Sequence, residues 1–330
     1  MLLCIHLAAL TKFDFPRVGG SKTSRLENRR TSDGGLGPPI DWVMARKSVW
    51  AGLVTLMAGW LQLSFAIAST DQTQHTIWNP TPRASMREMS ADRPDKTESP
   101  HTVDAGHIQL ELDLWTYTYD QSNPGGNELR TDAFTIMPFN FKIGLLDQMD
   151  LQFVVETFTH RRMEDRGSDT TIRRSGFGDL ITRLKINLWG NDHGKTAGGI
   201  MPFVKFPTNH DLGNDRLEGG VIFPVALDLP SDWGLGTMAE IDYLSESAGN
   251  EQLSLIGSIT VGHAVAGNLG GYVEFFSEIP TAQPSEWVAT IDTGLTCRLT
   301  PNTGLDIGVN LGITESADDL NLFTGLTWRH

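Results

Sequence analysis

The stretch LDIGVNLGI, residues 305–313, indicates the fold class. Its odd positions hold large aliphatic residues, and its even positions hold Asp306, Gly308, Asn310 and Gly312. A period of two is typical of a β-strand with one apolar and one polar face. The core of a soluble β-sandwich and the hydrocarbon of a membrane would both accept the apolar face. The rest of the chain has to distinguish the two.

Twelve segments with this period follow one another to the end of the chain. They are residues 104–118, 131–144, 149–160, 176–189, 196–206, 217–229, 233–244, 251–263, 268–278, 286–299, 304–313 and 320–330. Their connections alternate between long and short, and their aliphatic faces approach the roughly 9–11 residues that cross a membrane. The sequence therefore predicts an all-β fold, an antiparallel up-and-down transmembrane β-barrel of about twelve strands over residues 104–330, with both ends on the tight-turn side.

The chain begins with segments that we exclude from the fold. Residues 44–68 have a basic start, an apolar run and a small-residue box, which predicts a secretory signal peptide cleaved between Ala68 and Ser69. An uncleaved membrane anchor is the alternative. Because a signal peptide belongs at a true N-terminus, translation is expected to begin at Met44, and residues 1–43 are interpreted as a mis-assigned upstream extension.

The amino-acid composition of the chain disfavours several classes of function. The chain of 330 residues has 26 Lys and Arg against 40 Asp and Glu, a net charge of -14, which disfavours nucleic acid as a partner. Its two cysteines are Cys4 and Cys297, and loss of the first by processing would leave no intramolecular disulfide. No residues stand at metal-ligand spacing. We predict no metal and no cofactor.

Charged residues occupy the strand positions opposite the aliphatic ones, and they are the predicted pore-lining residues. They are Glu111, Asp113, Arg183, Lys185, Glu240, Asp242, Glu274, Glu278, Asp292 and Asp306. One interpretation is a selectivity lining that favours cations. The other, which we favour for a narrow barrel, is a structural network in which basic residues neutralise carboxylates across the lumen. Its basic members would be Lys142, Arg183, Lys185, Lys205 and Arg298.

Three tryptophans fall at the ends of predicted strands in the aliphatic phase. Trp233 and Trp287 open their strands, and Trp328 nearly ends the last one. Indole rings at both rims are typical of the aromatic girdle at a membrane interface. Ordinary core tryptophans are the alternative.

Residues 69–103 form a polar, proline-bearing N-terminal arm, predicted to be exposed with little regular structure. Disorder is expected for residues 70–90. RPDKTESPHTV, residues 93–103, is expected to be ordered against the periplasmic rim, where it could narrow the pore. Three roles stay open: a flexible tail, a plug in the lumen, or a segment that docks a partner.

Several motifs resemble the outer-membrane transporter family of the "MetA-pathway of phenol degradation". They are RPDKTESPHTV at 93–103, SGFGDL at 175–180, MPFVKFPTN at 201–209, EGGVIFPVALDLP at 218–230 and the closing GLTWRH. The resemblance covers essentially all of residues 93–330. It implies a β-barrel pore or transporter for small, often aromatic, molecules and no catalytic residue. One departure is the terminal His330, where outer-membrane proteins commonly end on an aromatic residue.

The sequence therefore favours an outer-membrane channel for passive passage of small hydrophobic or aromatic molecules, and not an enzyme. Its expected partners are outer-membrane lipid, the small-molecule permeant and, through the C-terminal strand, the barrel-assembly machinery. One alternative is an outer-membrane barrel with a structural role or with a lipid hydrolase site, for which His263 shares its strand with Ser254 and Ser258. Another is a soluble periplasmic β-sandwich that binds a ligand.

Overall fold

The computed structural model describes residues 75–121, 128–209, 212–213, 215–245, 251–281 and 286–330. The predicted extension (1–43), the signal peptide (44–68) and the cleavage site at Ala68 and Ser69 lie outside these residues. Within them the arm contains one short 3-10 helix, Arg83–Ser85. No helix in the described part is long and apolar enough to cross a membrane.

In the described part of the chain, fifteen antiparallel strands make up one sheet. They are β1 (Ile108–Asp120), β2 (Leu129–Ile136), β3 (Phe139–Leu146), β4 (Met149–Val155), β5 (Thr159–Asp165), β6 (Thr170–Gly176), β7 (Leu180–Trp189), β8 (Thr196–Phe206), β9 (Glu218–Leu229), β10 (Trp233–Ser245), β11 (Glu251–Ala266), β12 (Leu269–Pro280), β13 (Val288–Thr300), β14 (Thr303–Gly312) and β15 (Leu320–Arg329). Strand β15 pairs with β1 along its whole length, so the sheet closes on itself. The predicted barrel is confirmed, and closure excludes the β-sandwich.

Three barrel strands are interrupted, which is why fifteen segments make twelve barrel strands. Strands β2 and β3, β4 and β5, and β6 and β7 are successive halves of one strand each, separated at residues 137–138, 156–158 and 177–179. Met137 has a φ of 55°, and Pro138, which has no N–H to donate, follows it. The register of β1 shifts opposite this point, between Asp113 and Trp115.

One predicted loop was wrong. The stretch RRMEDRGSDTTIRRS, interpreted as a long connection, contains most of β5 and β6, joined by a short turn at residues 166–169. The predicted segments 149–160 and 176–189 were accordingly too short.

The two faces of the strands have opposite character. Large apolar side chains point outward and are exposed, such as Ile259 (45%), Val273 (57%) and Ile307 (55%). The inward positions are buried and mostly polar, such as Asp242 and Glu274 at 1% each. This pattern suits a barrel surrounded by lipid. The lumen therefore holds the candidate site.

Candidate functional site: the lumen and its arm

The N-terminal arm lies inside the barrel. Asp92, Lys96, Thr97 and Glu98 are each at most 5% exposed, and Thr102 to Asp104 continue the buried segment. The expectation of an exposed arm was therefore wrong, although little regular structure forms within it. Among the three roles left open, the described geometry is that of a plug.

Asp147, in the tight turn between β3 and β4, fixes the arm at the rim. Its carboxylate accepts hydrogen bonds from the His75 N–H (3.3 Å) and the Thr81 hydroxyl (3.3 Å), while its carbonyl oxygen accepts from Thr102 Oγ1 (2.8 Å) and Arg87 Nη1 (2.9 Å). Burial raises the pKa of the Asp147 carboxyl. The turn therefore holds the arm where it enters the lumen.

Asp92 is the first of three charged anchors inside the lumen. Its carboxylate lies 2.5 Å from Lys142 Nζ and 2.5 Å from Lys185 Nζ. Lys142 also pairs with Glu111, whose carboxylate accepts the Asp92 N–H at 3.2 Å. Two lysines from β3 and β7 thus meet one carboxylate from the arm and one from β1.

Arg93 is the second anchor, and it spans three adjacent strands. Its guanidinium donates to both oxygens of Asp306 (2.7 and 3.1 Å) and lies 2.5 Å from Asp113. Gly325 is paired in register with both aspartates, between them on β15. A Cβ at Gly325 would overlap with Arg93 Nη2. The glycine therefore leaves room for a bidentate clamp.

Residues 96–98 form the third anchor. Lys96 Nζ lies 3.1 Å from Asp292, and the N–H groups of Lys96 and Thr97 each donate to Glu274 at 2.7 Å. Glu98 pairs with Arg183 at 2.7 Å. Buried charges need such partners, because an unpaired ion in the lumen interior would be strongly unfavourable.

All ten predicted pore-lining residues are buried and face the lumen, and most of them contact the arm. Those that do are Glu111, Asp113, Arg183, Lys185, Glu274, Asp292 and Asp306. The others, Glu240, Asp242 and Glu278, lie on β10 and β12. Ser254 donates to Glu278 at 2.8 Å, while Glu240 Oε2 and Asp242 Oδ1 have no hydrogen-bond partner among the described residues. Their role in lining a pathway stays a prediction.

The predicted neutralising network exists, but much of it is completed by the arm. Lys142, Lys185 and Arg183 pair with Asp92 or Glu98 of the arm. Lys205 pairs with Glu218 (2.5 Å) and Asp179 (3.4 Å) of the barrel. Arg298 lies at the tight-turn rim and pairs with Glu88. The interpretation from sequence missed the arm as the source of counter-charges.

An apolar band crosses one side of the lumen between the charged residues, which sequence analysis did not predict. The cluster, here called the apolar wall, consists of Val154, Ile181, Met201, Phe203, Ile222, Met238, Ile256 and Phe276, each at most 7% exposed. It crosses seven neighbouring strands, β4 and β7 to β12. The arm covers it, since Lys96 Nζ lies 4.5 Å above the Phe276 ring and the Glu98 N–H points at Met238 Sδ (3.4 Å). Apolar residues at inward positions of these strands were the available signal.

One cavity beside the arm is small. A cavity of about 40 Å³ lies between the arm and β1, β3 and β4, lined by residues that include Asp92, Glu98, Phe139 and Val154. A water molecule needs on the order of 10–15 Å³ of such volume, so this space holds a few waters and no aromatic ring.

The three predicted girdle tryptophans are partly exposed. Trp233 (45%) and Trp328 (39%) lie at the tight-turn rim, and Trp287 (37%) precedes β13 at the opposite rim. Trp287 Nε1 donates to Ser277 Oγ at 2.9 Å. These positions are compatible with the two membrane–water interfaces of a barrel. The role of the three tryptophans in an aromatic girdle stays a prediction.

The serines considered for a hydrolase site do not meet His263. Ser254 and Ser258 point into the lumen, where their hydroxyls contact Glu278 and Thr97. His263 lies in the outward phase of β11, and its ring nitrogens contact the carbonyl oxygens of Ala264 and Ser231. Ser254, Ser258 and His263 therefore do not form a nucleophile–base pair.

The chain belongs to the family described as "Putative MetA-pathway of phenol degradation", which it matches over residues 91–330. The match includes the luminal part of the arm. No curated protein matches the chain.

Among solved structures, the chain is similar to the COG4313 outer membrane channel from Pseudomonas putida F1. The two share 14% identity and a TM-score of 0.54, over 73% of this chain and 100% of that one. Weaker similarities, with TM-scores of 0.43 and 0.37, are to the translocator domain of the autotransporter NalP from Neisseria meningitidis (8% identity, 68% and 88% covered) and to the CymD monoaromatic hydrocarbon channel (9% identity, 68% and 87% covered). The fold is that of an outer-membrane channel, and the chain is an outer-membrane β-barrel.

Proposed function

We propose that this barrel passes small uncharged hydrophobic or aromatic molecules down their concentration gradient, and that the arm closes it at rest. The observation that carries the proposal is the apolar wall. The lumen of a water-filled porin is polar, so an apolar band that crosses seven strands inside a barrel favours a different class of permeant. Membership of a family named for phenol degradation supports the same class.

Opening requires the arm to move away from the wall. The cavity of about 40 Å³ that lies between the docked arm and β1, β3 and β4 is too small for an aromatic ring. Release would expose Met238, Ile256 and Phe276 and would free the carboxylates that now bind the arm. An uncharged molecule could then follow the apolar side of the lumen.

The test is uptake by living cells, because the lipopolysaccharide of an outer membrane slows apolar solutes that cross phospholipid vesicles unaided. Cells producing the chain from Met44 should take up labelled toluene faster than cells without it, and faster relative to benzoate, which has a similar size and a negative charge. Equal acceleration of toluene and benzoate would contradict the proposal.

A matched pair of variants distinguishes an effect of the apolar wall on uptake from a general effect of the substitution on the barrel. Ile256→Thr places a hydroxyl on the apolar wall, whereas Ile259→Thr makes the same change at an exposed outward position of the same strand. The first variant should slow toluene uptake and the second should leave it unchanged. Equal effects would mean that the wall is packing for the arm and not a path.

A further inference from the structure

A second cavity, of about 280 Å³, lies at the tight-turn rim, apart from the luminal network. Its walls include Arg83, Arg87, Arg298, Arg329 and His330, together with one acidic side chain, Glu88. Four arginines around one cavity contrast with a net charge of -14 for the chain. This concentration of positive charge points to an anionic ligand.

Two of the arginines hold the cavity together. Arg329 Nη1 lies 3.1 Å from Asp104, and its other nitrogens donate to Asn302 Oδ1 at 2.8 and 3.0 Å. Arg87 Nε pairs with the same aspartate at 2.9 Å. Asp104 is fully buried, so these contacts fix the end of the arm to the last strand and to the β13–β14 turn.

The other two arginines are accessible to a ligand. Arg83 is exposed, and its described hydrogen bond is to the ring of His330 (3.2 Å to Nε2). Arg298 pairs with Glu88, but these side chains are 50% and 72% exposed. An exposed pair of this kind is weak and exchanges readily for a better acceptor.

We propose that this cavity binds a phosphate group through Arg83 and Arg298. Guanidinium groups match the tetrahedral oxygens of phosphate, and Arg87 and Arg329, held by Asp104, fix the wall behind them. The group has two possible sources: free inorganic phosphate in the periplasm or the headgroup of a phospholipid in the inner leaflet. The lipid source is close at hand, because the outward Trp328 ring stacks 5.6 Å from the His330 ring that lines the cavity.

The test compares Arg83→Gln with Arg298→Gln, made together, with a control of equal charge change at the opposite rim, Arg166→Gln with Arg173→Gln. Full-length folded protein in detergent is titrated with inorganic phosphate and, separately, with short-chain phosphatidylglycerol, and bound ligand is counted by native mass spectrometry. Because all four side chains are exposed, both double variants should fold, which a boiling-dependent shift on a gel confirms.

Wild type and the control should bind at least one of the two probes, and the Arg83/Arg298 variant should bind it more weakly by on the order of tenfold. Binding of phosphatidylglycerol alone assigns the site to a lipid, and binding of inorganic phosphate alone assigns it to a free anion. Equal binding by all three proteins, or no binding of either probe by wild type, would overturn the proposal.

Discussion

The two faces of β14 differ in solvent exposure as well as in polarity. Outward, Leu305, Ile307 and Leu311 are 37%, 55% and 44% exposed; inward, Asp306 and Asn310 are 7% and 6% exposed. A water-soluble protein would bury the first set and expose the second. The difference teaches that two separate interactions stabilise this molecule: lipid outside the barrel and ion pairs with the arm inside it.

Among the changes that test this difference between the two faces, removal of a buried charge from the lumen should have the largest effect. Asp92→Asn leaves Lys142 and Lys185 without the carboxylate they share, and loss of one partner from a buried ion pair costs roughly 3–5 kcal/mol. The cost falls on docking of the arm, because the barrel hydrogen bonds are untouched. Trypsin should therefore cut the arm of the folded variant faster than that of wild type.

The control for Asp92→Asn is an exposed pair of the same arm. Glu88→Gln removes the partner of Arg298 at the rim, where the interaction contributes about 1 kcal/mol or less. Equal release of the arm by both variants would mean that burial of the inner charges does not hold it in place.

An outward charge should have the next largest effect. Val309→Arg places a cation among the lipid-facing residues in the middle of β14, which costs about 2–4 kcal/mol in barrel stability, whereas Thr303→Arg at the rim of the same strand costs roughly 0–1 kcal/mol. The measurement is equilibrium unfolding in lipid vesicles. Similar costs at both depths would argue against lipid contact along this face.

Addition of a single methyl group inside the lumen tests the role of the Arg93 clamp. Gly325→Ala would bring a Cβ into overlap with Arg93 Nη2 and within 2.7 Å of the Leu112 carbonyl oxygen, and overpacking of this kind costs about 1–3 kcal/mol. We expect faster proteolysis of the arm. Gly234→Ala meets nothing within 4 Å and should be neutral, so comparable proteolysis in the two variants would rule out the clamp.

The smallest effect on folding is expected from the inner carboxylates that the arm does not pair. Glu240→Gln with Asp242→Asn keeps the side-chain shapes and removes the negative charge of two neighbouring carboxyl groups that have no basic partner in direct contact among the described residues. Stability should change little, while the reversal potential of the ion conductance in planar bilayers should move towards anions. An unchanged reversal potential would place these carboxylates off the conducting path.

The sequence predicted the barrel well where one strand face is apolar. From β8 onward the predicted segments match the observed strands to within a few residues, because each carries a lipid-facing row that marks its length. The prediction failed at β5 and β6. Their charged and polar residues, such as Arg162, Glu164 and Arg173, leave no apolar row to reveal a strand.

The docking of the arm in the lumen could not be predicted from periodicity. Arg93 meets Asp306 across 213 residues of chain, and Lys96 meets Glu274 across 178, so these contacts exist only once the barrel has closed. A signal was nevertheless present: the arm carries Asp92, Arg93, Lys96 and Glu98 close together, and inward strand positions carry the opposite charges. Complementary charge patterns identify such a plug only if the arm is considered together with the lumen.

The central claim is that the arm must leave the apolar wall before a molecule can pass. The hydroxyls of Thr97 and Ser258 lie 2.7 Å apart, close enough for a disulfide between arm and barrel after Thr97→Cys with Ser258→Cys in a Cys297→Ser background. The matched control, Ser90→Cys with Ser99→Cys, links two arm residues whose hydroxyls lie 2.8 Å apart and leaves the arm free of the barrel.

The decisive measurement is the initial rate of toluene uptake by cells producing each cysteine pair, with disulfide formation verified by mass spectrometry. The account predicts that the link between arm and barrel abolishes the uptake due to the protein, while the link within the arm and each single-cysteine variant preserve it. Equal uptake through the locked and the control proteins would contradict the claim.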